Sequence, residues 1–190
     1  MYQLKVIIAS TRSGRKGISV ANWFEQEANK YPEFDVEVLD LLKINLPFLD
    51  EPNHPRLQQY TKDHTRQWSK TIDAADAFVF VIPEYNYSAP PALVNAIDFL
   101  YKEWNYKPVG LVSYGGISGG LRSAQMCKLQ ITTVKMMPLF EGVSIPFFTK
   151  HIDEDGIFHS DETIDKSADV MMKELLKWAE AMKPMRKKKE

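Results

Sequence analysis

The sequence is poor in cysteine, in long apolar runs and in net charge, and each shortage removes a class of protein. Cys127 is the only cysteine, so no internal disulfide can form and a reducing compartment is expected. It falls in a helical stretch and reads as a small buried apolar side chain. The first apolar run, residues 4–9, is too short for a signal-peptide core and far too short to span a bilayer, so a cytoplasmic location without membrane attachment is expected. With 24 basic against 25 acidic residues, a net charge of −1 supplies no global field to attract nucleic acid or an acidic membrane. Histidine is scarce as well. His54, His64, His151 and His159 lack the spacing of a zinc site and read as structural or surface residues. Asp153-Glu154-Asp155-Gly156 lacks the other oxygen ligands of a calcium loop and reads as a turn, so no metal is expected.

What the chain does have is alternation. Residues 4–9 form a buried strand, and Ile18, Ala21, Phe24 and Ala28 follow at helical spacing until Tyr31-Pro32. Residues 34–39 alternate apolar and charged, as a strand with one drier face does. The stripe Leu57, Tyr60, His64, Trp68, Ile72 predicts one helix within residues 53–75, opened by Pro55. Residues 77–82 are a central strand closed by Pro83. A helix from Pro91, a strand at 109–112, a helix through Val134, a strand within 137–145 and a last helix opened around Ser160 complete the series.

Near-continuous apolar strands separated by helices imply an α/β, doubly wound five-stranded parallel sheet covered on both faces, with strand order 2-1-3-4-5. With 190 residues and 44% hydrophobic content, one domain is expected over residues 1–183. Residues 184–190 are a basic tail, read as a solvated end. Ligands of such sheets bind beyond the carboxyl ends of the strands, which singles out three turns.

The first turn, Ser10-Thr11-Arg12-Ser13-Gly14-Arg15-Lys16-Gly17, joins a strand to a helix N-terminus, where hydroxyls, two arginines and open backbone N–H groups suit a phosphate. Its spacing fits neither the dinucleotide fingerprint nor the P-loop. The second, Pro83-Glu84-Tyr85-Asn86-Tyr87-Ser88-Ala89-Pro90-Pro91, offers stiff backbone and aromatic surface to a flat ligand. Taken alone, it reads equally well as a rigid loop whose tyrosines cover the sheet end. The third, Ser113-Tyr114-Gly115-Gly116-Ile117-Ser118-Gly119-Gly120-Leu121-Arg122, places bare backbone beside a ligand or is simply flexible. Arg122, poorly placed for the helix dipole, either faces solvent or meets an anion.

Ser10-Thr11-Arg12 with Gly14 and Gly17, the block 83–88 followed by Asn95-Ala96 and Asp98, and Gly115-Gly116 with Gly119-Gly120 and Arg122 resemble, in order and spacing, the flavodoxin-like NADPH-dependent FMN reductase family, which includes chromate, azo and quinone reductases. The likeness covers residues 4 to 180, and departs at Ala9, where the family commonly has glycine. It implies that Ser10, Arg12, Ser13, Arg15 and Gly17 hold the FMN phosphate. Pro83, Glu84, Tyr85, Asn86 and Tyr87 would border the isoalloxazine ring, and Ser113, Gly115 and Gly116 its other edge. Gly119, Gly120 and Arg122 are candidates for NADPH or NADH. No acid or base side chain is expected to be catalytic, since hydride transfer is the cofactor's chemistry.

The expected activity is electron transfer from reduced nicotinamide to a small acceptor, such as free flavin, quinone, azo compound or chromate, by a ping-pong mechanism. The alternatives are a flavodoxin-type electron carrier and a non-catalytic FMN-binding sensor. A homodimer or dimer of dimers is expected. Helix 119–134 carries a second stripe, Met126, Leu129 and Thr133, beside the sheet-facing Ala124, Cys127, Ile131 and Val134. Phe99, Leu100, Tyr101 and Trp104 are expected to join that interface.

Overall fold

The computed structural model describes residues 1–186. Strands β1 (Tyr2–Ile8), β2 (Phe34–Asp40), β3 (Ala77–Pro83), β4 (Pro108–Tyr114) and β5 (Met137–Ile145) form one parallel sheet in the expected order β2-β1-β3-β4-β5. Every residue of β3 and β4 is buried, so neither sheet face can meet water and helices must cover both. Helices α1 (Gly17–Ala28) and α6 (Glu162–Met182) close the core around Leu4, Val6, Val79 and Val81. On the other face α3 (Asp63–Asp73), α4 (Pro91–Asp98) and α5 (Leu121–Thr133) pack around Ile7, Phe78, Phe80 and Leu111. A four-residue helix, α2 (Leu41–Ile44), follows β2. Registers running from Leu4↔Ala77 to Ile8↔Val81 bring the carboxyl ends of β1 and β3 side by side, where the strand order reverses.

Three expectations change. The stripe from Leu57 to Ile72 is not one helix: Pro55–Leu57 is a single 3-10 turn, Gln58 is left-handed (φ 55°), and α3 starts only at Asp63. The Glu51 carboxylate accepts the backbone N–H groups of Thr61 (2.8 Å) and Lys62 (2.9 Å), which satisfies them without a longer helix. Phe99, Leu100 and Trp104 are core residues rather than interface residues. Trp104, 0% exposed, packs on Trp68, Phe78 and Phe80 and donates its indole N–H to the Ile97 carbonyl at 3.1 Å. The turn at Lys102–Trp104 folds the ring back beneath α3. Lastly, Arg186 of the basic tail is not a solvated end: its guanidinium bonds the largely buried Asp76 carboxylate at 2.6 Å, which the exposed Lys183 also reaches at 3.0 Å, because a carboxylate in that position requires cations. The rest of the basic tail, 187–190, lies outside the described residues.

Candidate functional site

The turn after β1 is held from below by Arg15. Its guanidinium clamps Asp40 at the end of β2 with two 2.6 Å bonds, and a third 2.6 Å bond reaches the Ser10 carbonyl. Both side chains are nearly buried, and Arg15 holds the Asp40 carboxyl below the ordinary carboxylate range. Arg15 therefore spends its fork on shaping the turn, whereas Arg12 is exposed and makes no ion pair among the described residues. Helix α1 starts at Gly17 with no side-chain cap and no acidic residue in its first turn, which leaves its positive end open to an anion.

Ser10 adds a second sign of a missing ligand. Its hydroxyl is buried without a hydrogen-bond partner among the described residues, beside the Tyr114 phenol. Burial pushes that phenol up to about 12, so it remains a donor at neutral pH. A Cβ on Gly17 would overlap the Tyr114 hydroxyl and lie 2.6 Å from Ser10 Oγ, so any larger residue here must displace those side chains. Ser13 is exposed at the tip of the turn and does not line the cavity.

The turn after β3 is a two-residue hairpin. Tyr85 and Ser88 exchange backbone bonds of 3.1 and 2.9 Å, and Asn86 (φ 51°) and Tyr87 (φ 69°) are both left-handed. Tyrosine adopts that conformation at a cost of order 1–3 kcal/mol, and here Arg122 stacks 4.2 Å over the Tyr87 ring. Glu84 joins this turn to the next: its carboxylate accepts from Ser118 Oγ (2.8 Å), Arg122 N–H (3.1 Å) and Arg122 Nη1 (3.1 Å). Burial alone would raise the Glu84 carboxyl, but these donors hold it below the usual carboxylate range. Arg122 thus meets an anion from its own chain.

The glycine turn after β4 is a built structure rather than a slack loop. Ser113 Oγ donates to the Gly119 carbonyl (2.9 Å), and Gly120 has φ 81° with its Cβ position 2.7 Å from Tyr114 N. Phe147 and Phe148 strap it by donating backbone N–H groups to the Gly116 and Gly115 carbonyls. Ser113, Gly119, Gly120 and Arg122 support this turn and line neither main cavity, whereas Gly115 and Gly116 do line one.

Two cavities meet at these turns. One, of about 500 Å³, runs from Ser10, Arg12 and Lys16 past Pro83 to Gly115, Gly116 and Phe147. The other, of about 930 Å³, lies between Asn86, Ser88 and α4 and reaches Phe48. Arg12, Glu84 and Tyr85 line both, so the two adjoin along one cleft edge. Lys16, Tyr114, Phe147 and Phe48 were missed by sequence reasoning. Lys16 and Tyr114 lie within the first and third turns, but nothing in a linear pattern brings Phe48 or Phe147 to this cleft.

A parallel sheet of this order, with an open helix end and a cleft walled by aromatics beyond its carboxyl edge, defines a doubly wound α/β protein of flavodoxin-like fold. The chain matches NADPH-dependent FMN reductase over residues 3–150 and belongs to that family. It is similar to an NAD(P)H-dependent FMN reductase of Schizosaccharomyces pombe, 38% identical over 168 residues that make up 80% of this chain and 84% of the relative. An NAD(P)H-dependent FMN reductase of Nectria is 35% identical over 153 residues, 77% of this chain and 76% of the relative. In fold the chain is similar to FerB, a flavoenzyme NAD(P)H:(acceptor) oxidoreductase from Paracoccus denitrificans, with TM-score 0.75 and 19% identity, covering 96% of this chain and 99% of the other. The protein is an oxidoreductase that uses FMN and NAD(P)H. Among its described residues no helix is long and apolar enough to cross a membrane.

Proposed function

We propose that this enzyme passes electrons from a reduced nicotinamide to a small planar acceptor, a quinone or azo compound, with donor and acceptor occupying one cleft in turn. The observation that carries the reading is the continuity of the two cavities through Arg12, Glu84 and Tyr85. In this reading Arg12, Ser10 and the open end of α1 would hold the FMN phosphate, which would give the buried Ser10 hydroxyl a partner. Arg15 shapes that turn, and the left-handed Asn86-Tyr87 hairpin presents backbone beside the ring. When bound there, FMN would supply the two-electron redox chemistry that links the nicotinamide to the acceptor. For a quinone, the nicotinamide's hydride and one proton from water together yield the hydroquinone. Gly119, Gly120 and Arg122, candidates for the nicotinamide, line neither cavity and would act by bracing the turn that carries Gly115 and Gly116. Ping-pong kinetics test the reading: parallel double-reciprocal lines with NAD(P)H and a quinone are expected, and intersecting lines would require both substrates in the cleft at once.

The same reading makes the working unit a homodimer in a cytoplasmic setting. Leu129 is 65% exposed and Met126 and Leu121 are also open to solvent on α5, while Ala124, Cys127 and Ile131 of the same helix are buried. An unpartnered apolar stripe on a helix beside the cleft suits isologous pairing. Cys127, whose burial pushes its thiol up to about 12, is an inert packing residue in keeping with a reducing compartment.

A further inference from the structure

Phe48 is 87% exposed, yet the chain around it is pinned on both sides. The Asn95 side chain from α4 grips the backbone next to it twice, donating to the Pro47 carbonyl at 2.7 Å and accepting from Leu49 N–H at 3.0 Å. Two residues further on, Asp50 meets His64 at 2.9 Å, and Glu51 accepts Thr61 N–H at 2.8 Å. Before it, Leu46 packs against the hydrophobic core. A solvated aromatic on a mobile loop is unremarkable, but a solvated aromatic on a clamped loop is a presented one. The ring borders the larger cavity, which continues through Tyr85 and Arg12 into the anion-suited half of the cleft.

We propose that Phe48 is the docking wall for a planar, uncharged aromatic acceptor, such as a naphthoquinone, and that Asn95 is its positioning residue; this rests on the reductase reading above. The chemistry of the cavity favours that occupant. Phe48 and Tyr85 give it flat faces, Val94, Ala89 and Pro91 give it aliphatic surface, and Asn86 and Ser88 offer hydrogen bonds to carbonyl oxygens. Asp98 on the same wall, which accepts from Gln130 at 2.8 Å, disfavours an anionic acceptor. Asn95 touches no acceptor in this scheme: it holds Phe48 at the cavity by holding Pro47 and Leu49.

The test uses the FMN-loaded enzyme with NADPH and two acceptors, a naphthoquinone and ferricyanide, the second having no aromatic face. Phe48→Ala is expected to raise the naphthoquinone KM and to lower the ratio of kcat/KM for naphthoquinone to kcat/KM for ferricyanide by about tenfold, with Phe48→Tyr restoring it. Asn95→Ala is expected to shift the same ratio about threefold, through KM rather than kcat. An unchanged ratio in Phe48→Ala overturns the proposal while leaving the reductase reading intact. So does a Phe48→Ala protein whose only change is its oligomeric state by light scattering, since the ring then packs on a second copy. If the unchanged enzyme reduces neither acceptor, the reductase reading itself fails and this proposal with it.

Discussion

Arg15 and Asp40 face each other as a two-pronged pair, Nη1 to Oδ1 and Nη2 to Oδ2, each 2.6 Å, with both side chains nearly buried. The two arginines of the first turn are thereby divided into a structural one and a free one. Arg12→Ala is expected to weaken FMN binding by about 1.5–3 kcal/mol, the worth of a hydrogen bond to a charged group, and riboflavin binding far less. Arg15→Ala strands a buried carboxylate and should cost about 3–5 kcal/mol of folding stability. Flavin titration and urea unfolding check the pair; equal losses for FMN and riboflavin in Arg12→Ala would sink the phosphate assignment.

The same pair sets an acid limit. Because the folded Asp40 carboxyl lies below its ordinary value, its contribution is fully present above the unfolded value and is lost as pH falls through the folded one. Asp40→Asn should therefore destabilise the protein at pH 7 and flatten the fall in stability at acid pH. Melting curves from pH 7 downward measure this, and parallel curves for the two proteins would refute it.

Gly17 offers a test of contact rather than charge. A methyl group there overlaps the Tyr114 hydroxyl and crowds Ser10 Oγ, so Gly17→Ala should weaken FMN binding by at least about tenfold, or about 1.4 kcal/mol. Removing the phenol oxygen in Gly17→Ala/Tyr114→Phe relieves the worst overlap and should restore part of the affinity. No recovery in the double variant would place the effect in α1 itself.

Lys107 is buried and donates to the Ile72 and Asp73 carbonyls at 2.7 and 2.9 Å, where α3 ends. Burial pulls its ammonium down to about 7, below the 10.5 of an unfolded lysine. Between those values the unfolded chain binds the extra proton, so this group's contribution rises with pH. From pH 7 to 9 the unchanged protein should gain about 2 kcal/mol relative to Lys107→Met. Urea midpoints of both at each pH give the difference, and a constant gap would show that the lysine stays charged.

The apolar stripe on α5 makes a different kind of prediction. Leu129→Glu with Met126→Glu adds charge where both side chains are exposed, so the fold should survive while a dimer dissociates. Trp104→Glu is expected to unfold the chain, because the ring is wholly enclosed and the site is a core site. Light scattering and circular dichroism separate these outcomes. An unmodified protein that is monomeric at micromolar concentration would remove the dimer altogether.

Legibility in the sequence followed the range of the interactions. The strands of residues 77–82 and 109–112, the helices after the glycine-bearing turns and the sheet order rest on periodicity and on strand-helix alternation, which are properties of neighbours in the chain. The strand-to-helix turn with its uncapped α1 start was legible for the same reason: hydroxyls, Arg12 and the start of α1 lie within eight residues of each other. Other features depended on partners far away along the chain. Arg15 is a structural residue because Asp40 arrives from β2, Arg122 is occupied because Glu84 arrives from β3, and Trp104 is core because Phe78, Phe80 and Trp68 converge on it. A linear pattern shows that a residue is charged or apolar, but whether it is free or spent depends on what tertiary packing sets beside it. Phe48 is the limiting case. Composition alone makes it one more loop aromatic, and only Asn95, 47 residues further along, fixes the backbone on both sides of it at the edge of the larger cavity.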